Sequence, residues 1–391
     1  MATRVCVVSS KQCWQDASGA WLSSGGFPLQ MSAIASLFDH MTLFVMRRDE
    51  PGEGGIPLPP ADVVVLRKAR GKDLRRKLSV LAHLPEYLSV IARHVRQADA
   101  VHVPPPGDIP FLGMLVGLSL RRRLLVRYCG SWASTRRTTA MNRVTRALMR
   151  LFAGGRNVML ATGESERAPA PGVRWIFSTS LSAAELAETS PRTQNGLSSP
   201  PRIAYVGRLS PEKGVVNLLE AVAALEREGF APLPRVEILG DGPERRALER
   251  RLAALGQGER IRFLGQLNRR ELSDRLAQAD FCVQPSLSEG YSKAWLDAFS
   301  HGLPVLGSEA GAARRVIGEE GERGWLAPPG DLERLQEKLR MVLREPRDWA
   351  ALRGRCRAFA EGRTLEAWAR QIGEICASQW RVDLREGKLA L

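Results

Sequence analysis

Between residues 202 and 327 a short apolar run, a turn marked by glycine, proline or polar residues, and a longer helical pattern recur again and again. Nothing else in the chain constrains its fold as strongly. Runs of strand length stand at 202–206, 235–239, 260–264, 280–284, 304–307 and 324–327. Helical spacing fits between them at 212–228, 243–255, 268–278, 292–301 and 309–319. Strands that alternate with helices of this length build βαβ units, and hence a parallel sheet covered on both faces.

The first half follows the same rhythm less regularly. Strands are expected at 4–9, 42–46, 62–66, 99–103, 124–128, 157–161 and 173–177, and helices at 28–38, 78–97, 108–120 and 136–152. Pro85 should kink or divide the second of these helices, and PGEGGIPLPP reads as a loop. At 391 residues the chain is too long for one ordinary core. The stretch TSPRTQNGLSSPP has turn formers and almost no apolar residues, which places an interdomain linker at 191–200. The expected architecture is α/β, two doubly wound domains (1–190 and 201–364) facing each other across a cleft. Successive helices follow, and 365–391 has room to pack back on the first domain.

The formal charge of +15 is uneven: residues 1–190 hold 25 Lys and Arg against 14 Asp and Glu, and the remainder 32 against 28. The densest basic piece, RKARGKDLRRK, contributes Arg67, Lys68, Arg70, Lys72, Arg75, Arg76 and Lys77. Such a run suits a solvated face or a docking site for anionic lipid. With four tyrosines in the chain and no basic motif interleaved with aromatics, nucleic acid is not the expected partner. MATRVCVVSS does not look like a signal peptide, and the apolar stretch 110–120 is shorter than the ~20 residues of a membrane span. Six scattered cysteines without a CxxC pair read as reduced thiols, so a cytoplasmic protein is expected, with peripheral membrane contact through the basic run.

The chemistry-bearing residues sit at the carboxyl ends of the second-half strands, where open α/β sheets bind ligands. Gly207-Arg-Leu-Ser-Pro-Glu-Lys-Gly214 leaves one strand and opens a helix, with Ser210 as a natural N-cap. Arg208 and Lys213 then stand near a helix N-terminus that already favours anions; solvated cations are the plainer alternative. Leu239-Gly-Asp-Gly-Pro243 and Phe263-Leu-Gly-Gln266 are further strand ends. In SLSEGYSKAWLDAFSHG, Glu289 lies in the loop and Asp297 eight residues on, inside the helix. The two carboxylates suit hydroxyl-bearing parts of one extended ligand. His102, inside an apolar strand, reads as a core residue. No Asp-x-Asp occurs, so charge on a diphosphate would have to be met by Arg, Lys and amides, and no metal or other cofactor is expected.

Taken together, GRLSPEKG, LGDGPER, RIRFLGQL, SEGYSKAWLDAFSHGLPVLGSEAG and RGWLAPPGD give the second half a resemblance to the retaining glycosyltransferases of family 4, which have the GT-B fold of two Rossmann-like domains. The first half resembles them more loosely, through Gly25-Gly26 and VRYCGSW. The resemblance implies metal-independent transfer of a hexose-type sugar from a nucleotide-sugar bound to the second domain. The acceptor, a glycan, lipid-linked or small molecule, would sit mostly on the first. Arg208 and Lys213 would hold the diphosphate, Glu289 the transferred sugar and Asp297 the ribose. Gly207, Gly240 and the segment Gly290, Tyr291, Ser292 and Lys293 would complete the donor shell, with Leu264 and Gly265 facing the base. Gly25, Gly26, Asp108 and Cys129 are the first-half candidates. Three positions depart from the pattern: Asp297 replaces a glutamate, Cys129 stands where many members have a histidine, and Arg315 falls where Pro-Glu is common. A sugar-nucleotide epimerase or phosphorylase on the same fold, or a non-catalytic basic adaptor, are the alternatives.

Overall fold

The computed structural model describes residues 2–48, 50–52, 55–67, 79–133, 138–345 and 347–391. The chain forms two compact units: Met1–Ser180 together with Leu365–Leu391, and Leu181–Thr364.

In the first unit, β1 (Arg4–Gln15), β3 (His40–Arg47), β5 (Asp62–Leu66), β6 (Ala100–Val103), β7 (Arg123–Tyr128), β8 (Asn157–Thr162) and β9 (Val173–Ile176) make a parallel sheet in the order β5-β3-β1-β6-β7-β8-β9. The chain winds one way from β1 and returns on its other side at β6, so the unit is doubly wound. β1 runs past its expected end and pairs antiparallel with β2 (Trp21–Ser23), which pairs in turn with β4 (Ile56–Pro57). The segment read as a plain loop therefore holds a two-residue edge strand. Of the helices, α1 (Phe27–Ala35) and α3 (Asp108–Ser119) are strongly buried, and α2 (Leu84–Gln97) begins with Pro85 in its first turn, which divides the expected longer helix. α4 (Ala140–Leu151) starts at an N-cap, Thr139, whose side chain accepts from Asn142 N. Apart from Arg67, which pairs with Glu86 at 3.6 Å, the basic run lies outside the described residues. His102 is fully buried, with Nδ1 bonded to Leu125 O at 3.0 Å; burial, then Arg127, holds its pKa down to about 3.

Residues 365–391 complete this unit. Trp368, Ile372 and Cys376 of the terminal helix Leu365–Trp380 are fully buried, the Arg127 guanidinium lies 5.1 Å from the Trp368 ring centre, and Leu389 N donates to Leu37 O.

In the second unit, β10 (Arg202–Val206), β11 (Arg235–Leu239), β12 (Ile261–Gly265), β13 (Phe281–Gln284), β14 (Val305–Ser308) and β15 (Gly324–Ala327) form a parallel sheet in the order β12-β11-β10-β13-β14-β15. The direction of winding reverses between β10 and β13, and that is where a ligand crevice forms in such sheets. Two expectations need correction. Residues 191–200 are not a linker but part of this unit: Arg192 pairs with buried Asp280 at 2.9 Å, Ser198 N donates to the same carboxylate, and Asn195 Oδ1 accepts from Trp349 N. The helix expected at 309–319 shrinks to one turn, Ala313–Val316, because Gly311 and Gly318 hold positive φ on either side of it.

Candidate active site

The site is assembled from the carboxyl ends of β10, β11, β12 and β13. β12 ends in Gly265, Gly207 and Gly240 directly follow β10 and β11, and these backbones touch. Gly240 N donates to Gly265 O at 2.8 Å, and a Cβ added to Gly240 would stand 2.0 Å from Gly207 O. Only glycine allows that approach, at φ +146°. Leu264 precedes Gly265 on β12 and is half-buried, beside Phe263, against whose ring the Arg245 guanidinium packs at 5.5 Å.

After Gly207 the chain makes a tight turn, steadied by the Tyr205 hydroxyl, which donates to Arg208 O at 3.2 Å. Burial, followed by the charges of Glu289, Glu212 and Glu244, raises the pKa of that hydroxyl, so it stays a donor. Arg208 is exposed, and its guanidinium makes no ion pair among the described residues. The helix expected from 212 is broken in two: a 3-10 turn, Pro211–Lys213, then α6 (Val215–Arg227). Ser210 ends β-like, but its hydroxyl binds Glu212 Oε1 at 2.6 Å instead of capping the turn. Gly214 between them is left-handed (φ +61°), and a Cβ there would strike Pro285 O at 2.2 Å. This close approach lets Glu212 O accept from Leu287 N at 2.8 Å, which ties the two ligand-facing loops together.

That tie brings Lys213 Nζ to 2.5 Å from Glu289 Oε2, with the side chains 22% and 12% exposed. The loop bearing Glu289 is held from the other side too, where Gly290 O accepts from Ala312 N at 2.9 Å. Ser292 then starts α9 (Lys293–Ser300) without a side-chain cap bond, and Tyr291 is buried with its ring 6.1 Å from that of Trp295.

Asp297, inside α9, takes a partner that sequence reasoning missed. Arg269 Nη1 donates to Asp297 Oδ1 at 2.8 Å and Arg269 Nε to Glu185 Oε1 at 2.8 Å. These side chains, with Ser273 and His301, line a cavity of about 440 Å³. The readable signal was Asn268-Arg-Arg-Glu271, a capping box that fixes Arg269 at the first position of α8 (Arg269–Leu276). His301 Nδ1 is bonded to Asp297 O at 3.0 Å and its Nε2 to Ser273 Oγ at 2.8 Å; burial lowers its pKa.

In the first unit, Gly25 holds φ +73° and Gly26 precedes α1 as its N-cap. Asp108 opens α3 after β6, and a Cβ added to the preceding Gly107 would come 3.1 Å from Ser10 Oγ. Cys129, after β7, is exposed, its thiol donating to Arg127 O at 3.2 Å and its backbone N to Pro105 O. Thus Gly207, Gly240 and Gly265 come together, as do Lys213 with Glu289 and Asp297 with Arg269. Among the described residues no group of three or more His, Cys, Asp or Glu is placed to hold a metal, and no helix is long and apolar enough to cross a membrane.

Two doubly wound units of this kind make up the GT-B fold. HepE of Anabaena in complex with UDP and glucose matches 96% of this chain and 100% of that chain with a TM-score of 0.71 at 19% identity. Sucrose-phosphate synthase from Thermosynechococcus elongatus matches 97% of this chain and 99% of that chain, also with a TM-score of 0.71 at 19% identity. Residues 188–363, nearly all of the second unit, match the family model described as glycosyl transferases group 1. The sulfoquinovosyl transferase SQD2 of Arabidopsis thaliana is 30% identical over 68% of this chain and 53% of its own length. The MMP alpha-(1->4)-mannosyltransferase of Mycolicibacterium hassiacum is 37% identical over 45% of this chain and 44% of its own length. The chain thus spans about half the length of these curated relatives.

Proposed function

We propose that the chain transfers a hexose-type sugar from a nucleotide-sugar donor to an acceptor hydroxyl, with retention at the anomeric carbon and without a metal, in the synthesis of a glycan, glycolipid or glycosylated metabolite. The observation that carries this reading is the Lys213–Glu289 pair beside the unpaired Arg208 at the winding reversal of the second sheet. Arg208 and Lys213 offer a planar fork and a point charge to a diphosphate, close to the uncapped amides that start α9. Glu289 holds Lys213 in place and presents its other oxygen to sugar hydroxyls. Asp297, with Oδ1 taken by Arg269, has Oδ2 left for the ribose.

The bond from the anomeric carbon to the diphosphate oxygen breaks as the acceptor oxygen approaches on the same face. The acceptor proton passes to a diphosphate oxygen, so no side-chain base is needed. Arg208 and Lys213 act by stabilising the charge that develops on the leaving group. The names of the relatives, which carry sulfoquinovose and mannose transfer, and the UDP and glucose held by HepE support a sugar-nucleotide donor.

A thermal-shift panel of nucleotide sugars, followed by mass spectrometry of products with the stabilising donor, tests the reading. One donor should raise the melting temperature at millimolar concentration. Arg208→Ala and Lys213→Ala should each lower kcat by roughly 10²-fold, and EDTA should leave it unchanged. Full turnover in both variants would sink the mechanism.

A further inference from the structure

Helix α4 carries an outward face that the catalytic reading leaves unused. Large apolar side chains are rarely exposed among the described residues, yet four of them cluster on this helix and its end: Met141 (39% exposed), Val144 (47%), Leu151 (74%) and Phe152 (41%). The buried side of α4 is supplied by Thr145, Arg146 and Met149, with Arg146 donating to Trp132 O. Next to the exposed apolar strip on the same helix stand exposed Arg143 and Arg150, and the helix has no acidic residue. Arg150 is held over the Trp132 ring at 5.6 Å.

The strip runs directly into a basic pocket. Phe152 and Leu118 form the apolar wall of a cavity of about 410 Å³ whose remaining lining is Arg121, Arg122, Arg156 and Asn157. Arg156 Nη1 donates to Arg121 O at 3.1 Å, and Arg121 is one of few non-glycine residues with positive φ, at +50°. Arg122 has its Nε buried without an acceptor among the described residues. The carboxylate at this edge, Asp99, accepts from Arg4 N at 2.8 Å.

An apolar strip flanked by arginines is the pattern of a helix that lies in a membrane interface, and a pocket of guanidinium groups suits a phosphate. We propose that the outward face of α4 and the Arg121/Arg122/Arg156 pocket form a docking surface for an anionic lipid bilayer, with the apolar side chains among the acyl-chain ends and a lipid phosphate in the pocket. A second copy of the chain is a poorer occupant, because a two-fold contact through this strip would crowd Arg143 and Arg150 against their own counterparts.

The test is co-sedimentation of the full chain with phosphatidylcholine vesicles, with and without phosphatidylglycerol, at low salt. Binding is expected only with the anionic lipid. Arg143→Ala/Arg150→Ala and Arg121→Ala/Arg156→Ala should each weaken partitioning, by roughly fivefold per arginine. Val144→Glu/Leu151→Glu should abolish it, and because these positions are exposed, thermal melts of all variants should match the parent. Undiminished sedimentation of the glutamate variant overturns the proposal. So does complete release by inorganic phosphate relative to chloride at equal ionic strength, which would make the pocket a free-phosphate site. A concentration-dependent dimer broken by the glutamate variant, with no vesicle binding, would assign the strip to a second copy and equally overturn it. None of these readouts needs turnover, so their failure is distinguishable from failure of the catalytic reading.

Discussion

Gly240→Ala puts the backbone packing beneath the candidate site to a direct test. The new methyl group would lie 2.0 Å from Gly207 O and 2.9 Å from its carbonyl carbon. Both residues directly follow paired strands, since β10 and β11 are in register from Arg202 with Arg235 to Val206 with Leu239, so neither can yield alone. Relief requires the turn after β10 to move by about 1 Å, at the ~1–3 kcal/mol typical of overpacking. Alanine at φ +146° adds about 1 kcal/mol or more. A total of about 3 kcal/mol, at ~2–4 °C per kcal/mol for a unit of this size, lowers the melting temperature of the second unit by roughly 6–12 °C. Because the moving turn carries Arg208, turnover should fall further than stability alone explains when measured well below the melt. Gly354→Ala is the control: it sits inside the helix Trp349–Glu361 with nothing near its Cβ position and should stabilise by ~0.5–1 kcal/mol. Calorimetry of the three proteins decides the matter. If Gly240→Ala melts with the parent, the close approach of the two turns is wrong.

Arg269→Ala strands Asp297, whose side chain is only 9% exposed, and should cost about 2–3 kcal/mol and raise KM for the donor more than it lowers kcat; Arg269→Leu with Asp297→Leu should recover stability but not donor affinity. Recovery of both in the double variant would remove Asp297 from the donor site. His102 gives the first unit an acid sensitivity. Its pKa is held at about 3, below the ordinary 6.5, so the unfolded chain takes up a proton the folded one refuses. Its contribution is complete above pH 6.5 and drains away by about 1.4 kcal/mol per unit as pH falls from there towards 3. Urea titrations at pH 7.5 and 5 should therefore show a smaller acid loss, by about 2 kcal/mol, in His102→Leu than in the parent. Equal losses would refute that assignment.

The second sheet was legible because each of its strands is short, apolar and followed by its own turn signal. Arg202–Val206, Arg235–Leu239 and Gly324–Ala327 fall where the apolar runs do. What the sequence concealed depends on residues far apart in the chain. Ile56–Pro57 forms a strand only because Leu22 and Ser23 offer an edge. The run 309–319 has helical spacing, yet Gly311 is left-handed at a place where Glu289 O and Gly290 O leave no room for a Cβ, and a single turn remains. Residues 191–200 look like a linker by composition, and are held in the second unit by Asp280 and Trp349, which no local pattern announces. Within the site, the placement of Lys213, Glu289 and the three glycines at strand ends could be read directly. The Arg269–Asp297 pair could not, since nothing at position 269 alone says which carboxylate it will meet.

The return of residues 365–391 to the first unit also orders events during synthesis. Leu181–Thr364 is contiguous and can fold as soon as it has emerged, whereas the first unit waits for a helix made only after those residues. At ~5–20 residues per second, the ribosome needs roughly 10–40 s to make the intervening 184 residues of Leu181–Thr364. Throughout that interval the surface later covered by Trp368, Ile372 and Cys376 stands open on the nascent chain. Of the two units, the one that begins first therefore finishes second.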